Sequence, residues 1–161
     1  MSRYSDLELA LRRRDASSYA ASLRFNGPDD AAEQRSPVDP VFTIDNAALA
    51  DTFDALGYGT KLGEAFFAGD LKTEFLRFRG LAQNQSSALR VRLSIESSAP
   101  ELHALHWETL RDPAMTETPL FMGDATIVSR FLASGIDSRP VRLKPKADLS
   151  ALVVVANPES G

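Results

Sequence analysis

The stretch that decides the fold is Leu89-Arg90-Val91-Arg92-Leu93-Ser94-Ile95. Apolar and polar side chains alternate along it, which is the period of a β-strand with one buried and one exposed face. A turn-forming group, Asn84-Gln85-Ser86-Ser87, comes directly before it. We therefore expect a strand over 89–95. Arg90 and Arg92 should project together from its polar face, because residues i and i+2 share a face.

Two similar runs near the N-terminus predict an antiparallel hairpin. Leu7, Leu9 and Leu11 recur at every second position over 6–12, with Glu8 and Arg12 on the other face, and residues 19–25 repeat the pattern. The group Asp15-Ala16-Ser17-Ser18 between them suits a turn. One face of the hairpin should be buried and the other wet. Residues 26–40, which contain several prolines and acids and show no periodicity, predict a surface loop.

A helical period takes over in residues 46–82 and predicts three short helices. Asp45 can cap the first, whose apolar positions continue through Phe53 to Leu56. Gly69-Asp70 separates the second helix from the third. The apolar stripe of the third helix consists of Leu71, Phe75, Phe78 and Leu81 or Ala82.

The glycines of Gly57-Tyr58-Gly59 and Gly63 allow two interpretations. A glycine-rich loop can cradle a phosphate when it follows a strand and its backbone N–H groups converge. Here helical sequence lies on both sides, and no Gly-Lys-Ser/Thr follows. We therefore interpret these glycines as the break between the first two helices, with Thr60 beginning the second.

The second half of the chain predicts short elements and then a different kind of sheet. Pro100 should open a short helix that Arg111-Asp112-Pro113 ends. Strands are expected near 120–122 and over 127–131. The β-branched run Leu152-Val153-Val154-Val155 then suits a strand covered on both faces, as in a parallel α/β sheet.

These elements divide the chain into four parts and give a fold class. Residues 1–40 form the hairpin and an acidic loop, and residues 41–136 form a helical and β region. Residues 137–148, with two prolines and several basic side chains, are an extended linker. Residues 149–161 hold the first strand of a further sheet. The fold class is α+β leading into α/β.

The composition excludes several classes of chemistry. The chain has no cysteine, so these residues form no disulfide and no thiolate metal site and supply no cysteine nucleophile. A net charge of −4 gives no general attraction to nucleic acid or anionic membranes. No apolar run approaches the roughly 20 residues that span a bilayer. The N-terminus lacks the apolar core of a signal peptide, so we interpret the protein as cytoplasmic.

The two histidines, His103 and His106, are the first candidates for chemistry. Three positions apart on the expected helix, they can share a face as metal ligands or as an acid and a base. No third ligand and no His-Glu-x-x-His motif accompanies them. No Gly-x-Ser-x-Gly elbow occurs either. The alternative is a pair of surface or capping histidines, and we assign no catalytic, cofactor-binding or metal-binding residue and no cofactor.

Arginines and the single tryptophan each allow a structural interpretation. Arg90 with Arg92, and the group Arg12-Arg13-Arg14, can bind carboxylates of a partner or a phosphate, or can belong to a solvated sheet face. Trp107 is expected to anchor the core, where removal of such a side chain costs about 3–5 kcal/mol.

The segment around Trp107 carries a family resemblance. Residues 100–113, PELHALHWETLRDP, resemble a stretch in proteins of the CHAT family, which are caspase-like cysteine peptidase domains often attached to TPR repeats. His106 stands where the family more usually has proline. Further matching positions are Tyr58-Gly59, Leu62, Phe66-Phe67, 89–93, Val128-Ser129-Arg130-Phe131 and 152–158. The resemblance covers residues 41–161 and, more loosely, the hairpin.

The resemblance implies a caspase-like sheet that begins with the strand over 152–156. In the family, the catalytic histidine and cysteine follow later strands, so their positions lie beyond residue 161 and none is carried over. The chain would then be a non-catalytic N-terminal part that supports or regulates the catalytic half of a bacterial peptidase. Related proteins act in prokaryotic antiviral defence, including alongside CRISPR systems and cyclic-nucleotide sensors. Such a part has the catalytic half as its partner, with a regulatory or sensor domain or another copy of the chain as further candidates.

Two other classes of function remain open at this point. One is a self-standing protein-interaction module without peptidase activity. The other is a small hydrolase that uses the face bearing His103 and His106. A reading frame that encodes a histidine and a cysteine after residue 161 would favour the peptidase.

Overall fold

The computed structural model describes residues 4–28, 32–123 and 126–132, and for 131 and 132 the backbone alone. They form an α+β arrangement of a six-stranded mixed sheet and three helices, of which the third packs directly against the sheet. The strands are β1 (Tyr4–Arg13), β2 (Tyr19–Asn26), β3 (Gln34–Arg35), β4 (Val41–Phe42), β5 (Ala88–Ile95) and β6 (Thr126–Leu132). The helices are α1 (Asn46–Ala50), α2 (Ala55–Phe66) and α3 (Asp70–Asn84). The predicted parts at 137–148 and 149–161 lie outside the described residues.

The sheet combines an antiparallel half with a parallel half. Its order is β3-β2-β1-β5-β6, and β4 also pairs with β2. β1 and β2 form the predicted antiparallel hairpin, whereas β1, β5 and β6 run parallel. The hairpin turn is closed by Asp15, whose carboxylate accepts the backbone N–H groups of Ser17 and Ser18 at 2.9 and 2.8 Å. The hydroxyl of Ser18 adds a bond of 2.5 Å, and these bonds lower the pKa of Asp15 to about 2.

One face of the sheet is the apolar core, as the alternating pattern predicts. Leucines of β1 stand in register with apolar residues of β5: Leu7 beside Val91, Leu9 beside Leu93 and Leu11 beside Ile95. All six are buried. α3 packs over this face, and the ring of Phe78 stacks on that of Phe25 with centroids 5.3 Å apart. The predicted stripe of α3 is confirmed, since Leu71, Phe75, Phe78 and Ala82 are buried.

The boundaries of the first two helices differ from the prediction. Asp45 caps α1 as expected, and its carboxylate accepts the N–H groups of Ala47 and Ala48 at 3.0 Å. However, α1 ends at Ala50, so the predicted continuation through Leu56 is wrong. A second cap, Asp54, accepts the N–H of Gly57 at 2.6 Å and begins α2 well before Thr60.

The predicted helix break at Gly57-Tyr58-Gly59 is also wrong, because these residues lie inside α2. A Cβ atom at Gly59 would overlap the carbonyl oxygen of Thr109 and lie 3.1 Å from Nε of Arg111. One turn later, a Cβ at Gly63 would lie 3.2 Å from Cβ of Arg111. The two glycines therefore let the backbone of residues 109–111 approach the helix closely.

The loop and the segment around Trp107 contain further corrections. Residues 26–40, predicted as a surface loop without regular structure, include β3, which pairs with the edge of β2. The helix expected from Pro100 is two separate 3₁₀ turns, Pro100–Ala104 and Trp107–Thr109. The strand expected near 120–122 is a third 3₁₀ turn. Trp107 is fully buried, as predicted, and its Nε1 donates to the carbonyl of Leu102 at 2.7 Å.

Candidate interaction surfaces

β6 is the last strand in the parallel half of the described sheet. Its register places Val128 beside Val91 and Ile127 beside Arg90 of β5. Within the described residues, no strand pairs with its other edge. Ile127 is 45% exposed, and Ser129 and Arg130 are also exposed. We call this the β6 edge. The predicted strand over 127–131 is confirmed.

The face of the sheet opposite the core carries charges in an ordered array. The parallel register sets Asp6 beside Arg90 and Glu8 beside Arg92, and the hairpin register sets Arg24 on the other side of Glu8. Arg90 donates two hydrogen bonds to the carboxylate of Asp6, the longer at 2.7 Å, and this pairing raises the pKa of Arg90. Opposite charges on neighbouring strands stabilise the sheet itself.

The predicted common face of Arg90 and Arg92 is therefore confirmed, and both side chains are exposed. The N-terminal arginines are used in a similar way. Arg12 pairs with Asp39 at 2.5 Å, and Arg13 pairs with Glu101 at 2.6 Å. Arg12, Arg13 and Arg90 thus bind acids of the same chain, which fits the solvated-face interpretation better than a phosphate or carboxylate site.

An ion pair between α3 and the loop after Trp107 is partly buried. Arg79 donates to both carboxylate oxygens of Asp112 at 3.0 and 2.7 Å. The same carboxylate accepts the N–H groups of Ala114 and Met115, so it also holds the turn that follows. Burial by itself raises the pKa of Asp112, but the hydrogen bonds from Arg79 and the two N–H groups outweigh it, and the pKa is lowered. Asp112 therefore has a structural role, since its contacts join α3 to this loop and hold the turn after it.

The two histidines do not share a helical face. His103 lies in the first 3₁₀ turn, whereas His106 precedes the second, and Leu105 between them is extended. The ring of His106 stacks on Tyr58 with centroids 4.9 Å apart. The backbone carbonyl of His103 accepts a long hydrogen bond of 3.5 Å from Arg130. The continuous helix on which a paired ligand or acid–base role depended is therefore absent from this part of the described chain.

A second surface, which the sequence did not predict, surrounds the stack of Tyr58 and His106. Two adjoining depressions of about 240 and 340 Å³ share Leu49, Ala50 and the two stacked rings. Phe53, expected on the apolar face of the first helix, lines the smaller depression and is 99% exposed. We call this surface the α1 groove.

In the described part of the chain, no group of three or more His, Cys, Asp or Glu side chains is arranged to hold a metal ion. None of the described helices has both the length and the apolar character needed to cross a bilayer. Comparison with protein-family models, with curated proteins and with solved structures finds no match.

Proposed function

We propose that this chain is the non-catalytic N-terminal part of a bacterial CHAT cysteine peptidase and that it supports or regulates the catalytic half. The observation that carries the proposal is the β6 edge, at the end of three parallel strands. The unpaired N–H and C=O groups along the edge of a strand are a template for pairing with a further strand. A parallel strand from the catalytic half, added beside β6, would pair with the backbone N–H and C=O groups of this edge.

The chemistry of the chain agrees with a supporting role. A cysteine peptidase needs a thiol nucleophile with a histidine base beside it. The chain contains no cysteine, and its two histidines lie on separate turns. Under the proposal, both catalytic residues belong to the other half, beyond residue 161. The resemblance over 100–113 further favours a cytoplasmic role in antiviral defence.

The test uses the chain and the remainder of its gene product, expressed separately and then mixed. An exposed edge strand is blunted by lysine, because strand addition would bury the charge. Ile127→Lys on β6 should weaken association at least tenfold, which corresponds to about 1.4 kcal/mol. Gln34→Lys adds the same charge to an exposed position of β3 at the far side of the sheet and serves as the control.

Isothermal titration calorimetry measures both affinities, and intact-mass analysis of the uncut gene product tests for cleavage near residue 161. If Ile127→Lys and Gln34→Lys bound the catalytic half with equal affinity, the β6 edge would not be the surface that contacts it. A gene product without a downstream histidine and cysteine would end the peptidase proposal altogether.

A self-standing interaction module is the second candidate function. The observation that favours it is the fully exposed Phe53 beside the α1 groove, a surface unrelated to sheet extension. Such a module would bind its partner without any catalytic half. The two candidates differ in what happens to the Ile127→Lys variant, since a module acting through the α1 groove would keep its partner.

A further inference from the structure

The α1 groove combines features that seldom occur together on a solvent-facing surface. Phe53 lies in the connection between α1 and α2 with 99% of its surface exposed, and Leu56 nearby is 58% exposed. Single exposed apolar residues are ordinary, whereas a contiguous exposed apolar patch marks a binding surface. Here Phe53 lines the smaller depression together with Leu49, Tyr58 and His106.

The walls of the groove are held rigidly by the fold. Tyr58 projects from α2, and its hydroxyl accepts the backbone N–H of His106 at 3.3 Å. That bond and the ring stacking fix His106 on the helix. Leu49 of α1 is buried and forms part of both depressions. A ligand therefore meets preformed walls, which reduces the entropy lost on binding.

The charged side chains around the groove are of both signs, with acids in the majority. Asp54 lines the smaller depression, and Asp51 directly precedes Thr52, which also lines it. No lysine or arginine occurs over 43–60. One cation, Lys61, lies at the smaller depression, because its ammonium donates to the hydroxyl of Thr52, a residue of the lining, at 2.9 Å. Glu101, which lines the larger depression, is neutralised by Arg13. The rim next to Phe53 is therefore net acidic.

We propose that the α1 groove binds a peptide segment of a partner protein in which an aliphatic or aromatic side chain stands next to lysine or arginine. The apolar side chain enters the depression beside Phe53, and the cation lies between Asp51 and Asp54. An arginine can in addition stack on an exposed aromatic ring. The inference stands on α1, α2 and the turn at His106 alone, so it does not depend on the peptidase proposal.

The charge pattern also argues against other occupants. A second copy in a two-fold contact would place the same aspartates opposite each other, and like charges in an interface are unfavourable. A nucleic acid would meet the same repulsion through its phosphates. A basic and apolar peptide complements both the charge and the apolar walls.

The experiment measures binding of a fluorescent peptide of alternating arginine and leucine to the full chain by anisotropy. Phe53→Ala should weaken binding at least tenfold. Met122→Ala, which removes another exposed apolar side chain from a distant segment, should leave it unchanged. Asp51→Asn should weaken binding and reduce its dependence on salt. Because Phe53 and Asp51 are exposed, these variants should keep the melting temperature of the parent.

Control peptides separate charge from apolar contact. Replacing every arginine by glutamate, or every leucine by serine, should abolish binding. The inference is overturned if the arginine–leucine peptide fails to bind, if the glutamate peptide binds equally well, or if Phe53→Ala and Met122→Ala behave alike. It is also overturned if sedimentation shows a dimer that Phe53→Ala dissociates, since the groove would then belong to a second copy.

Discussion

Two glycines inside helices should respond to the same substitution with opposite signs. Gly59 of α2 faces the segment 109–111, and an added Cβ would overlap the carbonyl oxygen of Thr109 and lie 2.9 Å from its carbonyl carbon. Gly80 of α3 has no atom within 4 Å of the same added group. Alanine is otherwise better than glycine in a helix by about 1 kcal/mol.

The expected magnitudes follow from these distances. Gly80→Ala should stabilise the protein by about 0.5–1 kcal/mol, since it gains helix propensity without a clash. In Gly59→Ala, the overlapping atom belongs to the backbone and cannot rotate away as a side chain can. Overpacking of this kind typically costs about 1–3 kcal/mol or more. We expect a net loss of about 2 kcal/mol.

Urea unfolding followed by circular dichroism measures both changes. With a slope of about 2 kcal/mol per molar, typical of a small protein, Gly59→Ala should lower the midpoint by about 1 M and Gly80→Ala should raise it slightly. If Gly59→Ala proved neutral or stabilising, the close packing of α2 against residues 109–111 would be refuted. The helix break predicted at Gly57-Tyr58-Gly59 would then regain support.

Two further predictions concern carboxylates whose pKa values are lowered in the folded state. Asp112→Asn should destabilise the protein by about 3 kcal/mol at neutral pH, because it leaves Arg79 partly buried without its counter-charge. Because the pKa of Asp112 is lowered, its stabilisation is present above the ordinary value of 3.8 and is lost as the pH falls through the folded value. The variant should therefore lose less stability than the parent on acidification below about pH 4. Urea unfolding at a series of pH values measures the difference. Ser18→Ala should raise the pKa of Asp15 from about 2 back towards 3.8, and a carboxyl titration followed by nuclear magnetic resonance that still gave about 2 would contradict the role of the hydroxyl.

Local patterns predicted the elements whose structure depends on their own residues. The alternation in β1, β2 and β5 placed their apolar side chains correctly, and Asp45 and the stripe of α3 followed from helix chemistry. Local patterns gave the wrong interpretation of the glycines of α2, because these glycines are required by close packing against residues 109–111, some fifty positions away. β3 was not predicted, because it forms by pairing with the edge of β2 and its two residues are too few to show an alternating pattern.

The candidate surfaces were predictable only in part. The sequence indicated the β6 strand, but its position in the sheet depends on pairing between distant segments, which a local pattern does not record. The sequence did not predict the α1 groove, because Leu49, Phe53 and Leu56 have the spacing of the apolar face of one longer helix. The cap at Asp54 begins α2 instead and leaves Phe53 outside both helices.

The parallel pairing of β1 with β5 has a consequence for how the chain is made. Asp6 and Arg90 meet across a separation of 84 residues. Pairings this distant in sequence form slowly, because a long loop must close first. On the ribosome, the hairpin of β1 and β2 is made before α3 and β5. Its leucine-rich face therefore stays uncovered until α3 is made, and one edge stays open until β5 is made. Newly made chains pass through an interval in which they can pair with one another, and low temperature or slow expression should improve the yield of folded protein.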